Sequence, residues 1–519
     1  MRTWALGLAA TLALAAPAQA EIATAQVTGG TVAGETVDGI SEFKGIPFAA
    51  PPVGDLRWKA PQPLAPWSGT KRTVAFGPAC MQGPILAQMG STAPASEDCL
   101  YLDIWTPAHA PGDRLPVIAW IYGGGFNSGA TSVPLYDGAH FAQQGVVFVS
   151  IAYRVGMFGF LATPELSAES GHGSGNYGLL DMIAGLRWVQ DNIARFGGDP
   201  GKVTIMGHSA GGFAVSMLNA SPLAKGLFRG VISESGGNFT PVQREPVGGA
   251  RAISLGMAEA SGKAWLDGLG AHSLAEARAL PAAALLEAQG KPGAPISQPP
   301  MDGYIVPGDQ YVLWQQGRFN DVPLLIGNTS DETSVFGSQK TTAAAFEQQV
   351  RSSYGAKADA ILAAFPHATD AQAAAAARHL ANATVFEWNT HAWAGQQAHY
   401  GKAPVYTYYF DRPTAQNPNG SGHGSEVGLV FANEDTRPGR APWTDADRAL
   451  SAQLQGYWVN FAKTGDPNGA GLPEWPRYAA GEPTVLKVGA ETKVIGTPNA
   501  GQIEAVDDYF AWRRDGGGE

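Results

Sequence analysis

Ser209 stands at the centre of Gly207-His208-Ser209-Ala210-Gly211, with the apolar run Val203-Thr204-Ile205-Met206 before it and a stretch of small residues after it. A strand, a tight turn and a helix in that order hold a serine hydroxyl at the tip of a strained turn, poised as a nucleophile. Side chains at Gly207, Gly211 or Gly212 would collide with the neighbouring strand and helix, so glycine is expected there. The helix that follows aims free backbone N–H groups and its positive dipole end at the serine, where negative charge develops during acyl transfer. In a chain with 67 glycines the five-residue pattern alone is weak, and the flanking strand and helix give it weight.

A serine nucleophile needs a base, and the base needs an acid that fixes its tautomer and stabilises its charge. In folds with this turn the chain order is serine, acid, histidine, each following a strand of the sheet. Downstream of Ser209, the carboxylates directly after a buried apolar run (Val322-Pro323-Leu324-Leu325-Ile326) are Asp331 and Glu332, and on this ground either is a candidate. Most other carboxylates in the region lie in helical tracts, where a solvated face is the ordinary explanation. After the strand-like run 405–410 a single histidine remains, His423, set between Gly422 and Gly424. A lone histidine is usually a packed core residue, but this one occupies the position the base requires.

Two further features adjoin the turn. Gly123-Gly124-Gly125-Phe126 follows the apolar run 116–122, and backbone N–H groups there can approach a substrate oxygen closely; a flexible turn is the plainer alternative. His208 precedes the nucleophile, and a side chain at that position leaves the turn away from the serine oxygen. It is therefore expected to support the site from outside, titrating near neutral pH, and not to serve as the base.

The elements that must position these residues read as an alternation of strands and helices. Runs 99–105, 116–122, 145–153, 203–208, 227–234, 322–327 and 405–410 are strand-like, and several are apolar enough to be buried on both faces. Residues 179–195 carry the spacing of an amphipathic helix (Ile183, Leu186, Val189, Ile193). This order predicts an α/β fold with a large, mostly parallel central sheet covered by helices on both faces. Residues 22–78 read as antiparallel strands and surface excursions. The alanine-rich tract 240–300, without strand signals, and the tract 342–400 read as helical insertions over the functional edge of the sheet. The run 405–410 is the last clear strand. With no repeat or linker to split it, 21–519 reads as one catalytic domain despite its length.

Residues 1–20 have the form of an export signal: a positive start at Arg2, an apolar run from Leu6 to Leu14 too short to span a bilayer, and the small-residue site Ala18-Gln19-Ala20, with cleavage expected after Ala20. A secreted or periplasmic product with no membrane anchor follows. In that oxidising setting Cys80 and Cys99, the only two cysteines, are expected to form one disulfide. They do not make a metal site. A net charge of −11 with no Lys/Arg-rich run argues against a nucleic-acid partner.

Residues 196–211 and 97–104 resemble the two long signatures of the type-B carboxylesterase and cholinesterase-like family, whose members have the α/β-hydrolase fold. With 123–126, the Asp331-Glu332 turn and His423-Gly424-Ser425-Glu426, the resemblance covers nearly all of the mature chain. It implies Ser209 as nucleophile, Glu332 in preference to Asp331 as acid, and His423 as base. It further implies Gly124, Gly125 and Ala210 as oxyanion donors, Cys80 and Cys99 as the family's first disulfide, and Ser235 and Glu426 as supports behind the triad. The implied activity is hydrolysis of small-molecule carboxylic esters through an acyl-enzyme, without metal or cofactor. The same chemistry on amides or thioesters, or a non-catalytic binding module, are the alternatives. Two departures stand out: His208 occupies a position where relatives often carry Glu, and residues 81–98 contain no aromatic side chain, which speaks against choline esters. Phe126, Tyr153, Phe158, Phe239, Phe336, Trp388 and Trp393 are candidates for an apolar pocket wall, although aromatics in such tracts more often belong to the core.

Overall fold

The computed structural model describes residues 21–242, 252–333, 340–414, 417–434 and 441–517. The expected export signal and Phe336 lie outside the described residues. The frame is an eleven-stranded sheet. Its strands in chain order are β1 (Glu35–Val37), β2 (Ile40–Pro47), β3 (Tyr101–Thr106), β4 (Leu115–Ile121), β5 (Val147–Ile151), β6 (Gly198–His208), β7 (Gly230–Glu234), β8 (Leu324–Thr329), β9 (Val405–Asp411), β10 (Thr484–Gly489) and β11 (Lys493–Gly496). In space they run β11-β10-β9-β8-β7-β6-β4-β5-β3-β2-β1. Every pairing from β10 across to β5 is parallel, and both flanks are antiparallel.

The central strands explain their own placement. All residues of β5, β7 and β8 are buried, as are 203–208 of β6, so these strands are covered on both faces and their sequences are nearly continuous apolar runs. The amphipathic helix forms as α1 (Tyr177–Asn192), burying Leu179, Met182, Ile183, Leu186 and Val189. The nucleophile helix is α2 (Ala210–Ala220), buried along its whole length.

The strand expectations need two corrections. The run 405–410 is not the last strand: β10 and β11 extend the sheet by two more, β10 burying Val485, Leu486 and Val488 around the half-buried Lys487, and β11 being a short, largely exposed edge strand. The tract 240–300 does contain strand, since Ile253–Ser254 pairs in parallel with Pro300–Met301; two residues are too few to show an alternation. Between these ends the tract is helical, with α3 (Leu255–Gly268), α4 (Leu274–Ala279) and α5 (Ala282–Gln289) packed on a separate small cluster around Trp58, Phe158 and Leu161. The second tract ends with α6 (Asp370–Asn382), one π-helical turn (Ala383–Glu387) and α7 (Trp388–Tyr400).

The first insertion is fastened by a buried cation. Arg57 donates to both oxygens of Glu97 at 2.6 Å and to the carbonyls of Arg278 and Leu280 at 3.1 and 2.7 Å. Glu97 lies two residues before Cys99, which stands disulfide-bonded to Cys80 with a Cα–Cα distance of 5.0 Å. The motif 97–104 thus ties the cysteine loop to the insertion; its Asp98 accepts from the Tyr101 hydroxyl at 2.9 Å and its Asp103 from the Gly45 amide at 2.7 Å.

Candidate active site

Strand β6 delivers Ser209 with φ +56° and ψ −123°, a conformation non-glycine residues rarely adopt. The surroundings hold it there: the Ser209 amide donates to the Glu234 carbonyl at 2.8 Å, and its carbonyl accepts from the Phe213 amide at 2.9 Å. The glycines are required by contact. A Cβ on Gly207 would lie 2.4 Å from the Gly211 carbonyl carbon, one on Gly211 2.0 Å from the Ile121 oxygen, and one on Gly212 2.9 Å from the Glu234 oxygen. Helix α2 can therefore begin directly over the ends of β4 and β7, and Ser209 keeps partial exposure while its neighbours are buried.

The glycine loop after β4 presses on this turn. A Cβ on Gly123 would lie 2.6 Å from the His208 oxygen and 3.0 Å from the Ser209 Cβ. Gly124 and Gly125 have φ of +122° and +65°, and the Gly124 carbonyl is turned into the loop, accepting from the Asn127 and Ser128 amides at 3.1 Å each. Among the described residues, nothing accepts from the amides of Gly124, Gly125 or Ala210. Those amides belong to the loop and the helix start on either side of Ser209, where an oxyanion would need donors.

Glu332 and His423, expected as acid and base, come from the loops after β8 and β9. The two loops are laced together: the Ser421 amide donates to Ser330 Oγ at 2.8 Å, Ser330 Oγ donates to Asp411 at 2.8 Å, and the Asp331 amide donates to the Ser421 carbonyl at 2.9 Å. Glu332 Oε2 is hydrogen-bonded to His423 Nδ1, while Oε1 accepts from Ser235 Oγ and the Thr329 amide at 2.6 Å each. Asp331 faces elsewhere, accepting from Thr333 Oγ1 at 2.7 Å and Asn417 Nδ2 at 3.3 Å. Full burial pushes the Glu332 carboxyl up to about 7, against the lowering effect of the bonds from Ser235 and Thr329. Ser235 is itself held at φ +52°, its amide donating to the Gly327 carbonyl at 2.8 Å.

Behind the pair lies a carboxyl cluster. Glu426 accepts from the Tyr408 hydroxyl at 3.2 Å, Glu234 from Trp458 Nε1 of the helix Asp445–Thr464 at 2.7 Å, and Glu387 from Asn499 Nδ2 at 2.8 Å. Burial raises all three, Glu426 and Glu387 to about 8, and like charge adds to it from Glu332 in those two and from Glu426 in Glu234. Sequence reasoning found Glu426 but not Glu234, Glu387 or Tyr408, whose meeting depends on contacts between distant elements.

His208 departs from expectation. Its ring is buried and packs 4.6 Å, centroid to centroid, from the ring of His423, the expected base. Burial, and secondarily His423, hold it well below the usual imidazole range, and it does not titrate near neutral pH. The candidate pocket aromatics are core: Phe126, Tyr153, Phe158, Phe239, Trp388 and Trp393 are each at most 3% exposed. Phe386, on the π-helical turn, lies 5.0 Å from the His423 ring, and nothing in the alanine-rich tract around it signalled that contact.

Residues 17–506 match the model of a family described as the carboxylesterase family. The chain is 37% identical over 456 residues to the fumonisin B1 esterase of Sphingopyxis macrogoltabida, covering 86% of this chain and 83% of that one. It is 36% identical over 488 residues to the para-nitrobenzyl esterase of Bacillus subtilis (strain 168), covering 91% and 96%. A Geobacillus stearothermophilus carboxylesterase structure superposes with a TM-score of 0.81 at 33% identity, over 93% of this chain and 99% of the other. These neighbours share the α/β-hydrolase fold. Among the described residues no helix is long and apolar enough to cross a membrane.

Proposed function

The chain belongs to the carboxylesterase family and is a carboxylic ester hydrolase, and on that premise we propose that it works through Ser209, His423 and Glu332. His423 takes the Ser209 proton as the hydroxyl attacks the ester carbonyl, and Glu332 steadies the resulting imidazolium. The amides of Gly124, Gly125 and Ala210 hold the oxyanion, each contributing about 3 kcal/mol to the transition state. Collapse expels the alcohol, protonated by His423, and leaves an acyl-Ser209; water then attacks it with His423 again as base, releasing the acid. The observation that carries this reading is the Glu332–His423 hydrogen bond, formed by the loops after adjacent strands β8 and β9.

The substrates are small-molecule carboxylic esters. Residues 21–519 act as one catalytic domain, exported to the periplasm or medium after removal of 1–20 and braced by the Cys80–Cys99 disulfide. The test is hydrolysis of p-nitrophenyl acetate, butyrate and octanoate by the mature chain beside Ser209→Ala. A loss of about 10⁴-fold or more in kcat is expected from the variant. Equal activity in the two proteins would remove Ser209 from the mechanism.

A further inference from the structure

Three rings meet at the base. The His423 imidazole, bonded at Nδ1 to Glu332, has the His208 ring 4.6 Å away at an interplanar angle of 43° and the Phe386 ring 5.0 Å away at 46°. His208 is backed by glycine on two sides. A Cβ on Gly424, whose φ is +72°, would lie 2.9 Å from His208 Cε1 and 3.0 Å from Nε2, and one on Gly123 would lie 3.3 Å from Nδ1. The ring is 8% exposed, and its Nε2 meets no hydrogen-bond partner among the described residues.

A buried imidazole with an unpaired nitrogen is a costly way to fill space, and an aliphatic or aromatic residue would fill it without leaving a polar atom unsatisfied. What distinguishes His208 is its place one residue before the nucleophile and against the group that becomes a cation during catalysis. Among the described residues, Glu332 from the loop after β8 is bonded to His423 and His208 from β6 packs on it; Glu332 interacts in turn with Asp331 beside it, with Glu426 from the loop of His423 and with Glu387 from the π-helical turn, and Glu426 with Glu234 from β7. Burial keeps His208 uncharged and raises Glu234, Glu387 and Glu426. Glu332 is hydrogen-bonded to the imidazole at Nδ1.

We propose that His208 is a positioning residue for ester hydrolysis: wedged between Gly123, Gly424 and the base, its ring fixes the plane of the His423 imidazole bonded to Glu332 and keeps a carboxylate out of this contact, so that His423 regains its basic form at lower pH than it would with a carboxylate in that place. The inference rests on the triad reading above. It predicts that the acid limit of activity is set by the residue before the nucleophile.

The test is the pH dependence of kcat and KM for p-nitrophenyl butyrate between about pH 5 and 9, for the parent chain, His208→Glu, His208→Ala and His208→Phe, with thermal melts and fluorophosphonate labelling of each. His208→Glu is expected to move the acid limb of kcat/KM up by about one pH unit or more, because a carboxylate at this distance favours the imidazolium. His208→Ala is expected to lower kcat about tenfold with KM within about threefold, whereas His208→Phe, which restores the wedge, recovers most of that kcat. An acid limb in folded His208→Glu that coincides with the parent's, or parent-like kcat in His208→Ala, overturns the proposal; should His208→Glu fail to fold, the Ala and Phe pair decides. A parent chain that labels while its variants show none of these changes sinks this proposal alone. A parent that does not label sinks the triad reading and this proposal together.

Discussion

Two adjacent carboxylates after β8 show how little sequence separates the proposed catalytic acid from its neighbour. Glu332 turns inward, gives one oxygen to His423 and the other to Ser235 and the Thr329 amide; Asp331 turns outward to Thr333 and Asn417. Their chemistry differs because their environments do. Glu332→Gln keeps the volume but cannot stabilise an imidazolium, and its kcat/KM is expected to fall about 10³–10⁴-fold. Asp331→Asn removes only surface turn bonds and is expected to keep kcat/KM within about threefold, with stability lower by about 1 kcal/mol. Steady-state kinetics and urea unfolding of both variants check this, and a large catalytic loss in Asp331→Asn would mean that the acid had been misassigned.

At the scale of elements, the junction of β6 and α2 is a place where local geometry is dictated by backbone contact. A Cβ on Gly211 would sit 2.0 Å from the Ile121 oxygen, which belongs to a central strand and cannot rotate away. Gly211→Ala must push α2 off β4, and a loss of about 2–4 kcal/mol in urea unfolding is expected, with catalysis impaired in the molecules that fold. An unchanged midpoint would show that the helix start is free to shift. The same contact explains why this stretch was readable from sequence: chemistry and sterics together leave few residue types at each position. Ser209, Glu332 and His423 could be read as a candidate set in that order because each follows a strand of one sheet. The choice of Glu332 over Asp331 was not readable in this way and came from family likeness, since both residues follow the same strand. The contact of His208 with His423 was also missed, because the direction of a side chain relative to Ser209 says nothing about a loop that returns from residue 423. β11, the two-residue strands and Phe386 on its π turn were missed because their signals are too short or too polar for periodicity to register, whereas β10 carries Val485, Leu486 and Val488 and was simply not recognised.

For the molecule as a whole, the buried glutamates set how stability responds to pH. Glu387 is clear of the His423 hydrogen bonds, is 4% exposed, and has its carboxyl pushed up to about 8 by burial, with Asn499 opposing and Glu332 adding to the rise. The unfolded chain releases that proton near the ordinary glutamate value of about 4.3, so between there and about 8 the native state holds more protons than the unfolded one. Stability from this group is therefore fully present below the unfolded value and is lost as pH rises through the folded one. Glu426, also near 8, acts in the same direction. Asp199, Asp447 and Asp466, held low, act in the opposite sense, losing stability only as pH falls through their folded values, and the buried His208, also held low, loses stability as pH falls below the ordinary imidazole value. The expected stability profile is highest on the mildly acidic side and declines by a few kcal/mol toward pH 8. Glu387→Gln keeps an acceptor for Asn499 without the proton, so its urea midpoint is expected to fall less steeply between about pH 5 and 8.5 than the parent's. Identical slopes would mean that Glu387 ionises as readily folded as unfolded. A shallower slope would place opposing limits on one catalyst, since His423, as the proposed base, needs higher pH to act while the carboxyls behind it favour lower pH for folding.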